Sequence, residues 1–73
     1  MKLGDLKCGE SAVVTAVRGE GNLRKRVLDL GITKGCQVTV VRTAPLGDPL
    51  ELSLRGYRLT IRRDEAAIIE VAA

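Results

Sequence analysis

Apolar and polar residues alternate in short stretches along most of the chain, and at one place the apolar residues switch to helical spacing. Ser11 to Val17 is rich in Val, Ala and Thr and predicts a strand. In Gln37 to Thr43, Val38, Val40 and Arg42 alternate with Gln37, Thr39, Val41 and Thr43, a strand with both faces partly apolar. Leu50 to Leu54 alternates Leu with Glu51 and Ser53. Tyr57 to Arg62 alternates again, with Leu59 and Ile61 inward and Arg58, Thr60 and Arg62 outward. Ile68 to Val71 predicts a closing strand.

Between the first two strands Leu23, Val27 and Leu30 recur at the i, i+4, i+7 spacing of a short amphipathic helix. Asn22 is placed to cap its start. Gly31 falls where a left-handed residue ends a helix, and Ile32 beyond it folds back onto the apolar face. Leu3 to Gly9 predicts an extended arm with a turn at Gly9-Glu10. Lys34-Gly35 and Arg55-Gly56 read as turns, and Pro45-Leu46-Gly47-Asp48-Pro49 as a loop, since two prolines remove amide donors. Asp64 is positioned to cap a single helical turn through Glu65-Ala66-Ala67. The pattern is mostly β: about five short strands and one short helix, the signature of a small, bent SH3-like barrel formed as one domain over 1–73.

Composition narrows what such a domain can do. A chain of 73 residues is one domain with a thin core. With Tyr57 the only aromatic residue, that core must be built from Val, Leu, Ile and Ala. The formal charge of +3 is mild; it suits an acidic partner and does not by itself demand nucleic acid. No apolar run resembles a signal peptide or a membrane span, which points to a cytoplasmic protein touching a membrane only through a partner. Cys8 and Cys36 then read as reduced, small, buried or half-buried thiols.

Catalysis has little to stand on. The chain has no histidine, so no Ser-His or Cys-His pair can form. The two cysteines match no chelating spacing, and ferrous sites lean on histidine with carboxylate, so neither a metal site nor a cofactor is expected. Gly19-Glu20-Gly21 lacks the third glycine of a dinucleotide fingerprint, and no Walker-type loop is present. The acidic residues are scattered singly and read as solvated surface.

Three blocks carry a resemblance. Leu28-Asp29-Leu30-Gly31-Ile32-Thr33-Lys34-Gly35 comes first, then Val40-Val41-Arg42-Thr43-Ala44-Pro45-Leu46-Gly47-Asp48-Pro49. Leu59-Thr60-Ile61-Arg62-Arg63-Asp64-Glu65-Ala66 follows, with Ile69-Glu70-Val71 behind it. In order and spacing they resemble the ferrous-iron transport protein A family. The resemblance implies an SH3-like barrel that serves as a small accessory or regulatory protein of ferrous-iron uptake. Its implied partner is the cytoplasmic G-protein region of the ferrous-iron permease, and transition-metal binding enters only as a family-level association. A related domain ends some iron- and manganese-dependent repressors behind a helix-turn-helix, which is absent here.

Candidate partner-binding positions fall in two places. On the helix they are Arg24, Lys25, Arg26, Val27 and Leu28; in the proline loop they are Pro45, Leu46 and Asp48. Cations in the first turns of a helix oppose its macrodipole, so Arg24-Lys25-Arg26 is either a surface shaped for an acidic partner or a solvated face. Leu28 projects away from the stripe of Leu23, Val27 and Leu30, and either caps the barrel or joins a docking patch. Leu46 is either displayed on a stiffened loop or folded back over the core. Two other readings stay open: a nucleic-acid-binding barrel using Arg55, Arg58, Arg62 and Arg63 without stacking aromatics, and a detached relative of the repressor domain. An open sheet edge also permits self-association.

Overall fold

The computed structural model describes residues 1–72. A 3-10 turn at Leu3–Asp5 is followed by β1 (Ser11–Val17), α1 (Gly21–Asp29), β2 (Gln37–Thr43), β3 (Leu50–Leu54), β4 (Tyr57–Ile61), α2 (Arg63–Ala66) and β5 (Ile69–Ala72). The strands form one antiparallel sheet in the order β4-β3-β2-β1-β5. This sheet bends around a single core as an SH3-like barrel, the class that the alternating pattern predicts. No helix among the described residues is long and apolar enough to cross a membrane.

Cross-strand pairs on one face build the core. Ala12 lies opposite Val38, Val38 opposite Leu54, Val40 opposite Leu52 and Leu50 opposite Ile61, all buried. Val14 and Val71 add a further buried pair. The interior is Val, Leu, Ile and Ala, together with Cys36. Packing of this kind, at roughly 25 cal/mol per Å² of apolar surface withdrawn from water, is the main stabilising term for so small a domain.

Two bulges bend the sheet. The ladder skips Thr15 in β1 and Val41 in β2. A bulge moves the residues beyond it to the opposite face. Strict alternation puts Arg42 on the same face as Val38 and Val40; the bulge at Val41 instead sets it opposite Glu51 on the outer face, where the two form an ion pair at 3.0 Å.

The ends of the elements depart from the sequence expectation in four places, one being β4, which stops at Ile61 because Arg62 passes to the second helix as its cap. Leu3–Asp5 is a 3-10 turn instead of an extended arm, because the Asp5 carboxylate accepts the Lys2 amide at 2.9 Å and Leu3 and Leu6 turn inward. The first helix is capped by Glu20 in an extended conformation, so Asn22 lies inside the helix. The second helix begins at Arg63 behind an Arg62 cap, and Asp64 bonds the Glu65 amide without capping; β5 accordingly starts at Ile69, one residue later than predicted. The predicted C-terminus of α1 holds. Gly31 has φ 94°, its N–H donates to Leu28 O at 3.0 Å, and the Ile32 N–H donates to Val27 O at 3.4 Å. This is a Schellman closure with Ile32 and Val27 both buried beneath it.

Candidate functional site

The helix face holds most of the candidate positions. Arg24, Lys25 and Arg26 are all exposed, but they are not equivalent. Lys25 pairs with Asp29 one turn on, at 3.0 Å. Arg26 donates from Nε to Oε2 of Glu65, whose side chain is only 3% exposed. Arg24 has no carboxylate within 4.0 Å among the described residues; its Nε reaches the Val17 carbonyl at 3.4 Å. Arg24 is thus the member of the run without an acidic partner among the described residues. Val27, also a candidate contact, is wholly buried and offers no atom to a partner. It faces inward because it carries the apolar stripe that seats α1 on the sheet. Leu28 is half-buried and, with Gly19, Glu20, Gly21, Arg24, Lys25 and Asp29, lines an open depression of about 450 Å³.

Glu65 is the functional-looking residue that sequence reasoning missed, and its use is structural. Its Oε1 accepts the Arg62 amide at 2.8 Å, the third-residue half of a capping box, while Oε2 takes the guanidinium of Arg26. One buried carboxylate therefore starts α2 and ties it to α1. The signal was weak because Arg62 stands where such a box normally has Ser or Thr.

The proline loop presents Leu46 at 94% exposure, so of its two readings the displayed one describes the structure. The loop is closed by Ala44 N–H to Pro49 O at 3.1 Å and Gly47 N–H to Ala44 O at 2.7 Å. Asp48 accepts the Arg63 amide at 3.0 Å, anchoring the loop to α2. Pro45 and Pro49 line a second depression of about 320 Å³ with Arg42, Thr43, Ala44, Glu51 and Thr60. Of the candidates, Arg24, Lys25 and Leu28 line the first depression and Pro45 alone lines the second; Leu46 and Asp48 line neither.

The thiols occupy different surroundings. Cys8 is exposed, which corrects the expectation that both cysteines are withdrawn; its Sγ lies 3.9 Å from the Thr43 hydroxyl. Cys36 is buried. The Thr33 hydroxyl at 3.3 Å, and behind it the Arg55 guanidinium at 3.1 Å, hold its thiol below the ordinary value against the opposing effect of burial. Among the described residues no group of three His, Cys, Asp or Glu is placed to hold a metal ion. At the far edge of the sheet Glu70 accepts from Arg18 at 2.7 Å and pairs with Lys2 at 3.4 Å, and these contacts, Arg18 foremost, hold its carboxyl below the ordinary range.

Comparison with known proteins places this geometry. A Porphyromonas gingivalis protein described as an Fe(2+) transport protein A/Fe(2+) transporter FeoB fusion is 44% identical over 71 residues, covering 97% of this chain. The chain spans only 8% of that protein's length. The solution structure of FeoA from Chlorobium tepidum is 49% identical, with a TM-score of 0.86 over 97% of this chain and 68% of that one. The zinc-complexed FeoA of Stenotrophomonas maltophilia, described as an SH3 domain protein, is 32% identical with a TM-score of 0.84, covering 99% and 89% of the two chains. A manganese-dependent transcriptional repressor shares the fold alone, at 12% identity and a TM-score of 0.90 over 41% of its length. The FeoA domain model matches residues 1–73, and the chain belongs to the FeoA family.

Proposed function

We propose that this domain is an accessory module of ferrous-iron uptake that binds the cytoplasmic G-protein region of the ferrous-iron permease and works without catalysis. The observation that carries the reading is the family membership, joined to a 44% identical relative in which the homologous segment is described as fused to the FeoB transporter. Fusion holds two modules at high effective concentration, which is useful where they act together.

The contact surface we propose is the depression floored by Leu28 and edged by Arg24, supplemented by the displayed Leu46. An apolar floor beside an unpaired guanidinium suits an acidic, partly apolar partner. Regulation of the permease then requires unequal affinity for its nucleotide states, since a ligand shifts an equilibrium only by its differential affinity. The test is calorimetric titration of this protein into the purified cytoplasmic domain of the cognate permease, with GDP and with a non-hydrolysable GTP analogue. Saturable binding with a nucleotide-dependent affinity is the expected result; no heat with either nucleotide removes direct binding to that domain.

A further inference from the structure

One edge of the sheet is covered and the other is open. Along β5 the N-terminus runs as a partial extra strand, with Lys2 bridged to Glu70 and the Val71 amide donating to Met1 O at 2.9 Å. On the outer side of β4 no strand pairs among the described residues.

The Arg55-Gly56 turn determines what that open edge presents. Both residues have positive φ, 50° and 83°, as a two-residue type I′ hairpin requires. Leu54 and Tyr57 are then a hydrogen-bonded pair, and bonded and non-bonded pairs alternate along the ladder from there. Leu52 with Leu59 and Leu50 with Ile61 are bonded pairs. At Arg58 and Thr60 the N–H and C=O therefore point away from β3, and no turn, loop or cap bond reaches them.

The same segment is strongly basic. From Arg55 to Arg63 there are four arginines and no acidic residue. Arg58, 67% exposed, shares the single carboxylate of Glu51 with Arg42, so two guanidinium groups face one acid. Arg62 and Arg63 have no carboxylate within 4.0 Å among the described residues, whereas the Arg55 guanidinium donates to Cys36 Sγ at 3.1 Å.

We propose that the β4 edge takes an extended acidic peptide segment by strand addition, the backbone of Arg58 and Thr60 supplying register and the arginines supplying charge complementarity. The edge alternates donors and acceptors, as a peptide backbone does. A nucleic-acid phosphate only accepts, so it would leave both carbonyls unmatched, and the lone aromatic Tyr57 already donates its hydroxyl to Leu30 O at 2.9 Å. A second copy of β4 is disfavoured as well: it would bring the same arginine-rich segment, free of acidic residues over Arg55 to Arg63, against this one and add positive charge to positive. This surface is separate from the helix depression, and the inference does not rest on the permease reading.

The test titrates ¹⁵N-labelled protein with a capped peptide of alternating Glu and Thr, its Lys-for-Glu counterpart and an oligouridylate. The acidic peptide is expected to shift amides over Tyr57–Arg62 and to slow hydrogen exchange at Arg58 and Thr60 by about tenfold, the worth of one added backbone bond. Thr60→Pro removes an outward amide at an edge position that tolerates proline, and should weaken binding by about tenfold. Arg58→Gln, which leaves the backbone alone, should weaken it several-fold and blunt its salt dependence. Four results would overturn the proposal: no β4 shifts at millimolar acidic peptide, equal binding of the basic peptide, the same shifts with oligouridylate alone, or β4 protection that rises with protein concentration without peptide.

Discussion

Replacing Glu65 by alanine tests whether one carboxylate ties the two helices of this barrel together. The side chain is 3% exposed and has two partners, the Arg62 amide and the Arg26 guanidinium. Loss of the cap contact costs about 1 kcal/mol. The charge-assisted bond to Arg26 adds about 1 kcal/mol after discounting for the solvent that reaches a guanidinium 61% exposed. Withdrawing buried methylenes brings the sum to roughly 2–3 kcal/mol. For a domain of this size that corresponds to a fall in Tm of about 10–20 °C. The chain has no Trp, so thermal and urea unfolding followed by far-ultraviolet circular dichroism is the suitable assay. Glu65→Gln keeps an acceptor for the Arg62 amide and should cost only about 1 kcal/mol. In a double-mutant cycle, Arg26→Ala and Glu65→Ala should couple by about 1 kcal/mol. A Glu65→Ala protein within 0.5 kcal/mol of wild type, or a coupling near zero, would show that this carboxylate does not tie α1 to α2. The consequence for function is practical. Reversing Arg24, Lys25 and Arg26 together would set a new carboxylate against Glu65 and damage the fold, so a binding test must leave Arg26 intact.

Three further outcomes follow from the same structure. Gly31→Ala places a Cβ 2.9 Å from the Tyr57 hydroxyl at φ 94°, and should cost about 2 kcal/mol by urea unfolding; no loss would mean the Schellman closure is dispensable. Glu70 has a folded pKa below its ordinary 4.5, so its contribution is present above that value and is lost as pH falls through the folded pKa; Arg18→Gln should flatten the decline in Tm below pH 4.5, and an unchanged slope would contradict the assignment. Ellman's reagent should modify the exposed Cys8 rapidly and the buried Cys36 only on the timescale of opening, and two equally fast thiols would contradict the burial of Cys36.

Much of the fold was legible because alternation and burial agree. The bounds of β1, β2 and β3 follow from Val, Leu and Thr patterning, and Gly31 with Ile32 announced the end of α1. What alternation could not convey were the bulges at Thr15 and Val41, since a skipped residue leaves no mark in the pattern and yet reverses the face of Arg42. The candidate site was less legible. Arg24, Lys25 and Arg26 look alike in sequence; only the approach of α2 separates a structural arginine from a free one. Val27 was read both as core and as contact, and packing assigns it wholly to the core. Leu46 could not be placed from the loop composition, because a stiff loop serves display and cover equally well.

The most direct test of the account is the affinity of three proteins for the cytoplasmic domain of the cognate permease, measured by calorimetry at matched nucleotide: wild type, Arg24→Glu and Leu46→Ser. The account predicts saturable wild-type binding, a loss of about tenfold for Arg24→Glu at unchanged Tm, and a smaller loss for Leu46→Ser. Wild-type heat that neither variant alters, or no heat at all, would contradict it.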